Sequence, residues 1–187
     1  MNECSEKKSI AIVELETVSA GIKAADIMVK TAAIELAESR TVCPGKYIIV
    51  ATGYLGAVTV AVEAAKIFCA EKLIGSFIIG NPHESVIEAF YNKKKPERIR
   101  ALGIFETQDV ASAVMAADTA VKTAVVEVVK IRLAKGMCGK SYVSLTGEVS
   151  AVEAAIARAK AVTSESGMYL DSTIIARPDQ KLEKFLL

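Results

Sequence analysis

Ala24-Ala25-Asp26-Ile27-Met28-Val29-Lys30-Thr31-Ala32 returns 92 positions later as Ala116-Ala117-Asp118-Thr119-Ala120-Val121-Lys122-Thr123-Ala124. Upstream, the same offset aligns Ile12 with Ile104, Glu14 with Glu106 and Val18 with Val110; downstream it aligns Glu35 with Glu127 and Arg40 with Arg132. Beyond Arg40 the offset becomes 94, pairing Gly45-Lys46 with Gly139-Lys140, Thr52-Gly53 with Thr146-Gly147 and Ala57-Val58 with Ala151-Val152. It closes at 96, where Ile78-Ile79 and Pro82 meet Ile174-Ile175 and Pro178. A long fixed period of this kind marks tandem copies of one unit. The copies span residues 9–91 and 101–187, with two extra residues in the second hairpin. Residues 92–100 form a charged linker with Lys93-Lys94-Lys95-Pro96 as its hinge.

Each copy reads in the same order. In the first, Ile10–Leu15 is a short apolar strand. Ser19–Ala33 reads as a helix with apolar Ile22, Val29 and Ala33, and Ser19 is available as its N-cap. Two strands flank the turn Thr41–Tyr47, where Pro44-Gly45 forces a tight reversal. Ala57–Glu71 is an Ala-rich helix with Val58, Val62 and Ala65 on one face. Leu73–Gly80 reads as a buried strand, and Pro82–Tyr91 as a last helix with proline in its first turn. The order β-α-β-β-α-β-α predicts an α+β, ferredoxin-like unit with helices on one face of an antiparallel sheet.

Composition excludes several classes of function. The net charge is +1, Trp is absent and aromatics are 5% of residues, so neither phosphate neutralisation nor base stacking has a basis. Charges such as Glu63 and Lys66 interrupt the apolar stretches, leaving none long enough for a bilayer. The mean hydropathy of +0.35 is high for a soluble monomer and places apolar surface in subunit interfaces. Met1–Ser9 is polar and lacks a signal-peptide core, which predicts the cytoplasm and reduced thiols.

The chemistry therefore rests on few residues. With one histidine, His83, and no glycine-rich phosphate loop, an enzyme has little to stand on. His83 reads as a surface residue at a helix start, and Thr52–Gly56 as helix entry. Cys4, Cys43, Cys69 and Cys138 show no CxxC spacing and read as free thiols or ligands. Cys4 falls in a tail and Cys69 in an apolar helix. Cys43 stands at the lip of the first turn, where a thiol is presented; the residues alone allow an inert thiol or a ligand. Cys138 aligns with Pro44 in the second turn, Gly136–Lys140, and reads as a small apolar substitute, a supplementary ligand or a redox partner. Lys30 and Lys122 each follow an aspartate by four residues, the spacing of a helical ion pair.

Both halves resemble the bacterial microcompartment shell domain, over nearly all of residues 9–180. The resemblance is carried by Ile12-Val13-Glu14-Leu15 and Gly103-Ile104-Phe105-Glu106, by the repeated Ala-Ala-Asp-x-x-Val-Lys, by the Gly-Lys hairpins, and by Ile174-Ile175-Ala176-Arg177-Pro178. Thr41–Lys46 is similar to the subgroup that carries an iron–sulfur cluster in the pore of propanediol-utilisation-type compartments. This implies two non-permuted domains and a homotrimer forming a pseudo-hexameric tile. Thr41, Val42, Cys43, Pro44, Gly45 and Lys46 would line its central pore, with Met137, Cys138, Gly139 and Lys140 from the second half. Three Cys43 thiolates would hold one 4Fe–4S cluster, its fourth iron bound by water or a small molecule. Lys46 and Lys140 would add positive charge near it.

Lys30, Lys122 and Arg177 would lie on tile edges against other shell proteins; Asn81 replaces the edge arginine in the first half. The implied location is a microcompartment shell in the cytoplasm. The implied role is structural, with electron transfer to a redox partner or cluster transport across the shell. A plain metabolite pore and a small-molecule-binding regulatory trimer are the alternatives.

Overall fold

The computed structural model describes residues 9–91 and 96–186, so Cys4 and the Lys93–Lys95 part of the expected hinge lie outside the described residues. The chain divides into two compact units, the first ending at Pro82 and the second beginning at His83.

In the first unit, β1 (Ser9–Leu15) is the inner strand beside β3 (Lys46–Gly53), with β2 (Ile34–Val42) and β4 (Leu73–Ile79) at the edges. All neighbours are antiparallel. Alternation sends Ala11, Val13 and Leu15 of β1, with Tyr47, Ile49 and Ala51 of β3, to the helix-covered face. There they meet Ala24, Ala25 and Met28 of α1 (Val18–Thr31) and Val58, Ala61, Val62 and Ala65 of α2 (Leu55–Phe68). Burying each larger aliphatic side chain contributes roughly 1.5–3 kcal/mol. The α2 face is the one its sequence predicts. β4 is not the buried strand its apolar content suggests: it forms a sheet edge and stays partly exposed along its length.

α1 differs from expectation at its cap and in its face. Thr17 is the N-cap, its Oγ1 accepting from the Ala20 N–H at 3.4 Å, while Ser19 lies inside the helix. Ile22 and Val29 are exposed, and the face toward the sheet is Gly21, Ala24, Ala25 and Met28. Close approach explains the choice. A Cβ at position 21 would stand 2.2 Å from Tyr47 Cγ, so glycine lets the helix settle onto that ring.

The second unit repeats the plan with β5 (Ala101–Thr107), α4 (Val110–Thr123), β6 (Val126–Leu133), β7 (Ser141–Gly147), α5 (Val149–Glu165), β8 (Tyr169–Ile175) and α6 (Gln180–Leu186), in sheet order β6-β7-β5-β8. Each half thus runs β-α-β-β-α-β-α in unpermuted order, an α+β fold. α3 (Glu84–Phe90), the last element of the first sequence repeat, packs on α4 and β6 and so belongs to the second unit by contact. Pro82 precedes α3 instead of entering its first turn. His83 is the N-cap, its Nδ1 accepting from the Ser85 N–H at 3.3 Å.

Candidate functional site: the two hairpin turns

Register fixes the first turn. Thr41 pairs with Tyr47 and Val42 with Lys46, which leaves Cys43, Pro44 and Gly45 as a three-residue loop. Gly45 takes φ 82°, the left-handed residue that such loops require, and the Cys43–Pro44 peptide is cis. The Cys43 thiol is exposed at this apex. Below it one side-chain contact crosses the hairpin, Ser39 Oγ of β2 lying 3.1 Å from the Tyr47 hydroxyl of β3, and within β2 Arg40 Nη2 lies 2.8 Å from Glu38 Oε2.

Lys46 reaches back to Glu14 of β1, Nζ to Oε1 3.1 Å, with both side chains largely buried. Its charge is therefore compensated within the unit. Val42 is buried as well, so Thr41, Cys43, Pro44 and Gly45 are the exposed members of the predicted lining in this half.

The second turn is larger and more contorted. Leu133 pairs with Ser141, and residues 134–140 close through Ala134 N–H to the Lys140 carbonyl and Lys140 N–H to the Met137 carbonyl, each 3.1 Å. Ala134, Gly136, Cys138 and Gly139 all have positive φ, at 51°, 73°, 52° and 93°. Cys138 is exposed in the left-handed region, where an L residue is strained. Met137 and Gly139 are half-buried, and Lys140 is exposed.

Cys69 is buried as expected, its Sγ 3.9 Å from the Ala20 carbonyl oxygen, but α2 ends at Phe68, so Cys69 is the C-cap and not a residue within the helix. Among the described residues of one chain, no three His, Cys, Asp or Glu side chains converge. The first turn presents one thiol per chain. Among the described residues no helix is long and apolar enough to cross a membrane.

The predicted edge residues are also placed. Lys30 Nζ lies 2.6 Å from Asp26 Oδ2 and Lys122 Nζ 2.6 Å from Asp118 Oδ2, both across one helical turn, and Arg177 is exposed after β8. Sequence reasoning missed the second role of Asp118. Its Oδ1 accepts the His83 backbone N–H at 2.6 Å, joining α3 to α4. The conserved spacing of Asp26 and Asp118 in the repeat was the available signal.

Residues 9–82 and 101–178 each match the BMC domain. The chain is 34% identical over 175 residues to the bacterial microcompartment shell protein PduT of Citrobacter freundii, covering 94% of this chain and 95% of the relative. A crystal structure of a microcompartment protein from Desulfitobacterium hafniense superposes with a TM-score of 0.92 at 42% identity, covering 95% of this chain and 99% of the other. The fused permuted hexameric shell protein MSM0275 of the RMM microcompartment is similar at a TM-score of 0.58 and 20% identity, over 83% of this chain and 81% of its own, a likeness of fold alone.

Proposed function

The chain belongs to the BMC-domain family of bacterial microcompartment shell proteins, and from that membership we propose that three copies close into a tile whose central pore holds one 4Fe–4S cluster on three Cys43 thiolates. Such shells lie in the bacterial cytoplasm, and the role of the chain is structural first. The observation that carries the cluster reading is the exposed Cys43 thiol at the apex of a short loop, held by a hairpin whose polar contacts fix its base.

Single thiols from three copies about one axis supply three of the four ligands such a cluster normally takes, leaving one iron open to water or a small ligand. When bound, the cluster would supply one-electron chemistry at a boundary between two compartments, or itself be the cargo. The protein's part is to present the thiols, leave one side open to solvent and set the local charge. Because Glu14 compensates Lys46, the exposed Lys140 is the cation better able to favour an anionic cluster. Lys30, Lys122 and Arg177 face neighbouring tiles in this reading.

The test is anaerobic reconstitution with iron and sulfide. Wild-type protein becomes brown, and Cys43→Ser loses both visible absorption and iron while remaining trimeric. Cys138→Ser retains the cluster. A colourless wild type with an intact trimer leaves a plain metabolite pore as the function.

A further inference from the structure

The two halves carry the same pair of charges on corresponding strands and use them differently. In the first unit Glu14 of β1 stands opposite Ile48 of β3, on the sheet face away from α1 and α2, and Lys46 lies on that same face of β3. Their side chains meet at 3.1 Å, Nζ to Oε1, with 31% of the lysine and 20% of the glutamate exposed. The repeat places Glu106 and Lys140 at the same positions. Glu106 is half-buried and Lys140 exposed, and among the described residues neither side chain has a polar partner.

Turn length explains the difference. Lys46 is the first residue of β3 and pairs with Val42, so only Cys43, Pro44 and Gly45 lie between the strands. With its backbone fixed in the ladder, its side chain reaches across the sheet face to β1. Lys140 belongs instead to the turn, where its N–H closes on the Met137 carbonyl and its carbonyl accepts from Ala134.

The fold does not require the pair. The second unit keeps the same strand order without it, and Glu106 faces Tyr142 as Glu14 faces Ile48. What distinguishes the first unit is the exposed thiol of Cys43, three positions before Lys46. The other charges beside this turn, Glu38 and Arg40 of β2, also meet each other, at 2.8 Å. Cys43 therefore stands on a base whose charges are matched in pairs.

We infer that Glu14 is a positioning residue for the Cys43 turn: by holding Lys46 it cancels one positive charge beside the thiol and lowers the affinity of the turn for negative charge. The redox consequence rests on the proposed cluster. An anionic cluster on Cys43 gains charge on reduction, so its potential is more negative with Glu14 present than with Lys46 left uncompensated.

The first measurement uses the full chain without iron. In a Cys4→Ser, Cys138→Ser background, with Cys69 buried, Cys43 is the thiol that reacts with aromatic disulfides. Two reagents are compared: dithiobis(nitrobenzoate), a dianion, and dithiodipyridine, which is neutral. The ratio of the two rates reports local charge and cancels the fraction of thiolate. Glu14→Gln should raise it about threefold to tenfold, Lys46→Met should lower it by a similar factor, and the double variant should restore it. Lys46→Arg keeps the charge and should leave the ratio unchanged. The second measurement repeats the set on anaerobically reconstituted protein. The reduction midpoint should rise in Glu14→Gln, fall in Lys46→Met and return in the double variant, a tenfold change being 59 mV for one electron. Ratios that stay fixed, or that both single variants move in the same direction, overturn the inference, because distortion of the turn carries no sign of charge. Midpoints that stay fixed while the ratios move overturn its redox consequence. A colourless wild type whose ratios still move in opposite directions overturns the cluster and supports the role of Glu14.

Discussion

Gly45 and Cys138 both hold left-handed backbone, at non-equivalent places in the two turns, one without a side chain and one with it. Gly45→Ala places a Cβ where an L residue costs about 1–2 kcal/mol, and the loop yields by moving the thiol beside it. The expected result is a lower unfolding midpoint together with poorer iron retention after reconstitution. Cys138→Gly acts in the opposite direction. Relief of strain outweighs the added freedom of the unfolded chain, for a gain of about 0.5–1 kcal/mol in urea titrations at fixed protein concentration. That variant retains the visible absorption if Cys43 alone ligates. Cys43 at the lip of a Pro-Gly reversal was legible from sequence, because proline and glycine act locally. The Lys46–Glu14 pair was not, since it joins residues on strands brought together by the fold.

At the scale of elements, α1 approaches β3 closely at Gly21. Gly21→Ala drives a Cβ into the Tyr47 ring, and Tyr47 is itself buried and hydrogen-bonded to Ser39. A loss of roughly 1–3 kcal/mol is expected, at the upper end because the ring has little room to move, and thermal unfolding reads it directly. Gly103→Ala meets Val152 Cγ1 and Ile156 Cγ1 at 2.6 and 2.9 Å, both on buried β-branched side chains that have little freedom to turn, so a loss of the same order is expected.

The lysines test tiling. Lys30→Ala with Lys122→Ala removes two partly exposed ion pairs, a change of about 1 kcal/mol or less each, and leaves Asp26 and Asp118 able to accept backbone donors. The trimer should persist while two-dimensional sheets disappear from electron micrographs; unchanged sheets would make these lysines ordinary solvated residues. Helix existence was readable from periodicity. The buried face was not, because α1 is apolar on two sides and the large residues Ile22 and Val29 mark the outer one.

For the whole molecule, sedimentation at micromolar concentration should give a trimer with or without iron, since the high mean hydropathy of +0.35 calls for apolar burial between copies whether or not the thiols carry a cluster. The sequence by itself determined the duplication, the strand and helix order and the family, because each is written in local pattern repeated at a fixed offset. It also singled out Cys43, through the turn chemistry of its neighbours. Only the tertiary structure decided that α3 leaves its own repeat to pack with the second unit, and that Asp118 anchors it there. Burial is a property of what lies opposite a residue, not of the residue. Ile22 and Val114 occupy the same place in the repeat, and one is solvent-exposed while the other is sealed beneath a helix.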